Sequence, residues 1–80
     1  MPESPRLSRT LTPRDHAPLV TLTDASRYML ALPPDIAACN AWQCAAALAI
    51  EVGEQPTSAA IETLTAQLDL ALFTTYRLEV

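Results

Sequence analysis

The sequence contains no lysine and a single glycine, Gly53. One glycine cannot build a glycine-rich loop for phosphate groups, so that class of nucleotide site is excluded. Long apolar runs are missing as well. The longest, Cys44–Ile50, is far shorter than the ~20 residues that a membrane-spanning helix needs. Residues 1–16 are rich in proline and arginine and do not resemble a signal peptide, so we expect a soluble, cytoplasmic protein without a membrane partner.

Basic residues are scarce beyond the amino-terminal part of the chain. Residues 1–29 hold four of the five arginines, whereas residues 30–80 hold six acidic side chains against Arg77 alone. An acidic globule repels the phosphate backbone of nucleic acids, so a nucleic-acid partner is not expected. The arginines nearest the amino terminus are too widely spaced to form a dense basic patch.

Nucleophilic and metal-binding side chains are also few. A zinc site needs about four ligands, and the sequence offers Cys39, Cys44 and His16. The two cysteines would stand about 140° apart around one helix and cannot bridge each other, so we expect buried free thiols in a reducing cytosol. Nothing predicts that His16 is held against a thiol as a nucleophile pair requires, and Glu51 and Glu54 are expected to be solvated. The sequence therefore predicts no catalytic residue, no metal and no cofactor, and an enzyme is not expected.

The sequence is rich in apolar residues, at 50%, and in alanine in particular. Alanine is the best intrinsic helix former, so this composition predicts an all-α fold. The segment from Trp42 to Gly53 organises that fold, since only Gln43 and Glu51 are clearly polar within it. A helix that is apolar most of the way round belongs in an interior, with other helices packed on more than one of its sides.

Three helices are predicted, at about residues 22–32, 40–52 and 58–76, and the last two form a helical hairpin. The first begins at a capping box, in which the Thr21 hydroxyl accepts a free backbone amide and the Asp24 carboxylate reaches back to the start of the helix. A double proline ends this helix, because the residue before a proline is disfavoured in the α region.

Two residues set the ends of the second helix. Asn40 is expected to cap its start, after a break at residues 33–39 in which Ile36 packs on the core. The alternative is one longer helix that Asp35 caps and that continues through the tryptophan. Gly53 follows the last apolar residue, at the point where a left-handed C-cap is needed.

Residues 1–19 are predicted to be a flexible tail, followed by the three-helix domain at residues 20–80. The tail is rich in proline, serine, threonine and arginine, and offers little apolar surface to offset the entropy of ordering it. Leu7 and Leu11 are exceptions that could dock on a partner, and Leu19 could pack on the globule.

The third predicted helix, capped by Thr57 or Ser58, has two apolar faces. The main face packs inside the domain and consists of Ile61, Leu64, Leu68, Ala71, Leu72 and Thr75. The opposite face, where a surface helix is normally polar, consists of Ala59, Ala66, Leu70 and Phe73. Exposed apolar patches mark association sites, and a domain of ~60 residues is marginally stable alone, so we predict a homodimer through this second face. The alternative is that Phe73 folds back under the amino-terminal segment.

A DNA-binding helix-turn-helix is an alternative interpretation of the hairpin. Ala49 and Gly53 have the spacing that such motifs use, but the helix after the turn opens without basic or amide side chains to contact bases. We therefore predict a small non-enzymatic protein that interacts with an unidentified protein partner or has a regulatory role. The alternatives are a DNA-associated regulator with a degenerate helix-turn-helix and a phage-type inhibitor whose acidic surface imitates nucleic acid.

A spaced pattern runs through residues 20–72. It consists of Thr21-Leu22, Asp24-Ala25, Tyr28, Leu32-Pro33, Trp42-Gln43 and, after an alanine- and leucine-rich helix, Gly53 with Pro56-Thr57. This pattern resembles a group of small, uncharacterised alphaproteobacterial proteins. The resemblance implies the same helical fold and carries no functional residue across. The chain departs from the group in its alanine-rich residues 36–39 and in its acidic third helix.

Overall fold

The structure, a computed structural model, describes residues 5–14 and 16–75. Its strands and helices, in chain order, are β1 (Arg6–Leu11), β2 (Leu19–Thr21), α1 (Leu22–Leu30), α2 (Pro34–Ala37), α3 (Asn40–Glu54) and α4 (Ser58–Thr74). The described part of the chain is thus mostly helical, with a two-stranded antiparallel sheet ahead of the helices. The all-α prediction is confirmed only roughly, because it left out this sheet.

The start of α1 is the capping box that the sequence predicts. The Thr21 Oγ1 atom accepts a hydrogen bond from the Asp24 amide at 3.2 Å, and Asp24 Oδ2 accepts from the Thr21 amide at 3.2 Å. The same carboxylate oxygen accepts from the Val20 amide at 3.0 Å. These bonds satisfy donors that a helix start would otherwise leave free. The first helix ends at Leu30, two residues before its predicted end, and the predicted break follows it, with Ile36 of the short α2 packed against the core.

The capping carboxylate predicts an acid-sensitive stability. Hydrogen bonds from the Val20 and Thr21 amides lower the pKa of Asp24 below its ordinary value. The resulting stabilisation is complete above the unfolded-state pKa of about 3.9 and is lost as the pH falls through the lower folded-state pKa. Below about pH 4, the free energy of unfolding should therefore fall more steeply for the wild type than for Asp24→Asn. Urea unfolding across the acidic range measures both slopes, and equal slopes would contradict the assignment.

Both predicted ends of the second helix need correction. The Cys39 carbonyl accepts the first helical hydrogen bond, from the Gln43 amide at 3.0 Å, so Cys39 and not Asn40 occupies the cap position. At the other end, Gly53 lies within α3, which continues to Glu54. The Gln55 amide donates to the Glu51 carbonyl at 2.8 Å, so helical hydrogen bonding passes through the glycine and no left-handed cap forms there. The start of α4 is confirmed, because Thr57 caps it through the Ala60 amide at 3.1 Å.

Within the flexible tail predicted for residues 1–19, the structure contradicts the prediction at residues 6–11 and at Leu19. Residues 6–11 and 19–21 pair as an antiparallel hairpin, and Leu7, Leu11 and Leu19 are buried in the core. The prediction rested on the prolines and on the small number of apolar side chains, and its alternative assigned Leu7 and Leu11 to an outside partner. Their burial against the helices supplies the apolar contact that orders the segment. The expected packing of Leu19 on the globule is confirmed, and residues 1–4 lie outside the described residues.

The hairpin has an irregular register, and it buries Leu7 and Leu11 while the arginine between them stays mostly exposed. Arg6 pairs with Thr21 and Leu11 pairs with Leu19, with a register shift in between. In a regular strand, residues 7, 9 and 11 would all point to one face. The Arg9 guanidinium reaches the Asp69 carboxylate of α4, the helix on which β1 packs, at 2.6 Å.

A second contact fixes β1 on α4 and can be tested by substitution. The Thr65 hydroxyl is buried, accepts from the Ser8 amide at 3.0 Å and donates to the Ile61 carbonyl at 2.8 Å. Thr65→Val removes the acceptor and leaves the Ser8 amide unsatisfied, so we expect a loss of about 1 kcal/mol in the free energy of unfolding. Thr74→Val is the matched control, because the exposed Thr74 hydroxyl only donates within its own helix. Urea unfolding compares them, and equal losses would mean that the Ser8 contact contributes nothing.

Trp42 lies at the centre of the core, as the sequence predicts. Its side chain is 2% exposed, and its indole N–H donates to Thr75 Oγ1 at 3.3 Å. The Tyr28 ring is 5.8 Å away between centroids, tilted by 42°. The main face of α4 meets the same core: Leu64, Leu68, Ala71 and Leu72 are buried, while Ile61 and Thr75 are half-buried. Tyr76, the last residue of the predicted third helix, lies outside the described residues.

One side of α3 faces outward, which corrects the expectation of buried thiols. The buried side chains of this helix are Trp42, Ala45, Ala49 and Val52. Cys44, Ala47 and Glu51 recur at helical spacing on another side and are exposed. Cys39, at the cap, is exposed as well. The sequence pattern could not show this, because alanine is compatible with either environment.

Candidate protein interaction surface

The side chains considered for chemistry are dispersed. The exposed His16 packs edge-on against Tyr28 with ring centroids 5.2 Å apart, and its Nδ1 atom lies 2.9 Å from the Ala17 carbonyl oxygen. The Cys39 thiol donates to the Asp35 carbonyl at 3.6 Å. Among the described residues, no three histidine, cysteine, aspartate or glutamate side chains form a cluster suited to a metal ion. Exposed apolar side chains, by contrast, lie on α4 and in a groove between α1 and α3.

The four predicted interface residues lie together on the outward side of α4. Ala59 and Ala66 are exposed, Leu70 is 51% exposed and Phe73 is 66% exposed. At 100° per residue, these four and Thr63 fall within an arc of about 80°. We call these five residues the outer stripe. The exposure of Phe73 rules out the alternative that it folds back under the amino-terminal segment.

The outer stripe has the spacing of a helix-pairing seam. Its members follow one another at intervals of four, three, four and three residues, which is the pattern of paired helices. Thr63 does not interrupt it, because its hydroxyl donates to the Ala59 carbonyl at 2.9 Å and needs no outside partner. A stripe of this kind can pack along another helix over about four turns.

The two flanks of the outer stripe differ in charge. On one flank, Asp69 binds Arg9 of β1, and the exposed Glu62 precedes Asp69 by two helical turns. On the other flank, α4 packs against α3, where the Gln67 side-chain amide donates to the Ala41 carbonyl at 3.0 Å. The stripe is thus bounded by a charged flank and a packed flank.

A second apolar surface, which the sequence did not predict, lies between α1 and α3. It is a groove of about 380 Å³ lined by Ser26, Met29, Leu30, Ala46, Ala49 and Ile50. Leu30 is 88% exposed and Ile50 is 66% exposed. The groove stays open because the alanines of α3 present only methyl groups towards α1. None of the outer-stripe residues lines it, so the two surfaces can be tested separately.

Comparison with family models, curated proteins and solved structures found no match to this chain. The resemblance in the sequence pattern therefore stays a prediction. No helix in the described ranges is long and apolar enough to pass through a bilayer.

Proposed function

We propose that this protein is a small, non-enzymatic interaction or regulatory protein that forms a homodimer through the outer stripe of α4. The observation that carries the proposal is an exposed apolar seam on a helix whose opposite face already packs on the core through Leu64, Leu68 and Leu72. A helix needs only one apolar face to join a monomeric core. The second apolar face stays in contact with water unless another protein surface covers it.

The energetics support a second copy as the covering surface. Burying a fully exposed leucine or phenylalanine side chain contributes on the order of 1.5–3 kcal/mol, so Leu70 and Phe73, which are 51% and 66% exposed, contribute about 1–2 kcal/mol each. In a symmetric dimer each contact occurs twice, so Leu70 and Phe73 supply four such anchors against the cost of association. A small domain also buries a modest share of its unfolded surface, so covering this seam adds stability where it is scarce.

Thermal unfolding as a function of protein concentration tests the proposal. A dimer that unfolds to monomers gains stability by mass action, so its melting temperature should rise as the total protein concentration rises. Circular dichroism follows this over a hundred-fold concentration range. A melting temperature that does not change, together with sedimentation as a monomer, would refute the proposal.

A further inference from the structure

We infer that two copies pair with their α4 helices antiparallel, and that Arg9 of each copy lies opposite Glu62 of the other. This inference rests on the proposed dimer and assigns its arrangement. The partner is a second copy of this chain, and two observations select the orientation: the order of side-chain sizes along the outer stripe and the order of charges along its flank.

Side-chain size changes along the outer stripe. The first half holds Ala59, Thr63 and Ala66, which are small, and the second half holds Leu70 and Phe73, which are large. A parallel pair would place large residues on large and small on small, so the helices would splay at one end and leave a gap at the other. An antiparallel pair places each large side chain against small ones of the other copy. That arrangement keeps the spacing even and the packing dense.

The order of charges along the charged flank, which is the flank beside β1, favours the same orientation. In a symmetric antiparallel pair, the same flank of each helix faces its counterpart, with the first half of one helix beside the second half of the other. Glu62 lies in the first half of α4, and the Arg9–Asp69 ion pair lies in the second half. The Arg9 side chain is 59% exposed and has several N–H donors, so it can bind a second carboxylate. It also neutralises Asp69, which would otherwise repel the approaching Glu62.

The parallel arrangement lacks this complementarity. In a parallel pair the charged flank of one copy would face the packed flank of the other. On the packed flank, the Gln67 side chain is already bonded to the Ala41 carbonyl. Neither α3 nor α4 contains an arginine or lysine, so these two helices would offer Glu62 no cation. The two helix dipoles would also lie side by side in the same direction, which is unfavourable.

Distances between labels at the two ends of α4 test the orientation. Ser58 and Thr74 are exposed and lie outside the outer stripe, so each can be replaced by cysteine and labelled in a Cys39→Ser/Cys44→Ser background. Residues 58 and 74 are about 24 Å apart along the helix. We expect a short distance between label 58 on one copy and label 74 on the other. The 58–58 and 74–74 distances should each be clearly longer, because those positions are then offset by about 24 Å along the helix axes.

The outcomes separate this inference from the proposed function. Short 58–58 and 74–74 distances would show a parallel pair, which overturns the inference and leaves the α4 dimer intact. A dimer in which all three distances are long would show that another surface pairs, which overturns both. A monomer at every concentration would overturn the proposed function, and the inference with it.

The charge contact has its own test. Glu62→Gln should weaken dimerisation a few-fold at low salt, and the difference from the wild type should vanish at high salt because screening removes the attraction. Glu54→Gln, which removes an exposed carboxylate at the end of α3, should have no such effect. Equal effects of the two substitutions would overturn the Arg9–Glu62 contact.

Discussion

Replacing Trp42 with alanine should lower the free energy of unfolding by about 3–5 kcal/mol, the range for truncating a large aromatic side chain in a core. The indole ring is almost fully buried beside Tyr28, and its N–H donates to Thr75 at the end of α4. The substitution opens a cavity among α1, α3 and α4. Since small domains have about 5–15 kcal/mol of stability in total, a large part of it should be lost. Urea unfolding followed by far-ultraviolet circular dichroism measures the change.

Ile50→Ala is the matched control for this prediction. It shortens another apolar side chain of α3, but one that is largely exposed in the groove. Alanine also favours helix over isoleucine, so we expect a change within about 0.5 kcal/mol. If both substitutions cost the same, the core would not be centred on the tryptophan.

Replacing Phe73 with aspartate should convert the dimer to a folded monomer. The substitution removes an apolar anchor and puts a charge at its place in the seam, and it does so twice per dimer. Two anchors of about 1–2 kcal/mol each correspond to a rise of about 30- to 1,000-fold in the dissociation constant. Because Phe73 is mostly exposed in the single chain, the helical circular dichroism spectrum should be retained. Light scattering after size-exclusion chromatography gives the mass, and loss of folding instead would identify Phe73 as a core residue.

Leu30→Asp is the control that separates the two apolar surfaces. The Leu30 side chain is more exposed than that of Phe73, and it lies in the groove between α1 and α3. We expect this variant to remain dimeric at concentrations where Phe73→Asp is a monomer. The opposite result, a monomeric Leu30→Asp and a dimeric Phe73→Asp, would place the interface in the groove.

Features that depend on neighbouring residues were predictable from the sequence. The capping box of Thr21 and Asp24 and the break at Pro33 involve contacts within a few residues, and both are found. The outer stripe of α4 was predictable for the same reason, since helical period alone places Leu70 and Phe73 on one side.

Features that depend on distant residues were not predictable. The strand at residues 6–11 exists because β2 and Thr65 of α4 supply its partners, and its leucines are too far apart to look like an alternating strand. Gly53 stays helical because hydrogen bonding continues past it to Gln55. Likewise, the exposure of Leu30 and Cys44 depends on which sides of α1 and α3 the other elements leave open, and a single sequence does not reveal that.

Sedimentation equilibrium of the wild-type chain tests the central claim most directly. We predict an average mass that rises with concentration from the 8.7 kDa of one chain towards twice that value, and a Phe73→Asp variant that stays at the single-chain mass. A wild-type mass that remains at that of one chain throughout the concentration range would contradict the account.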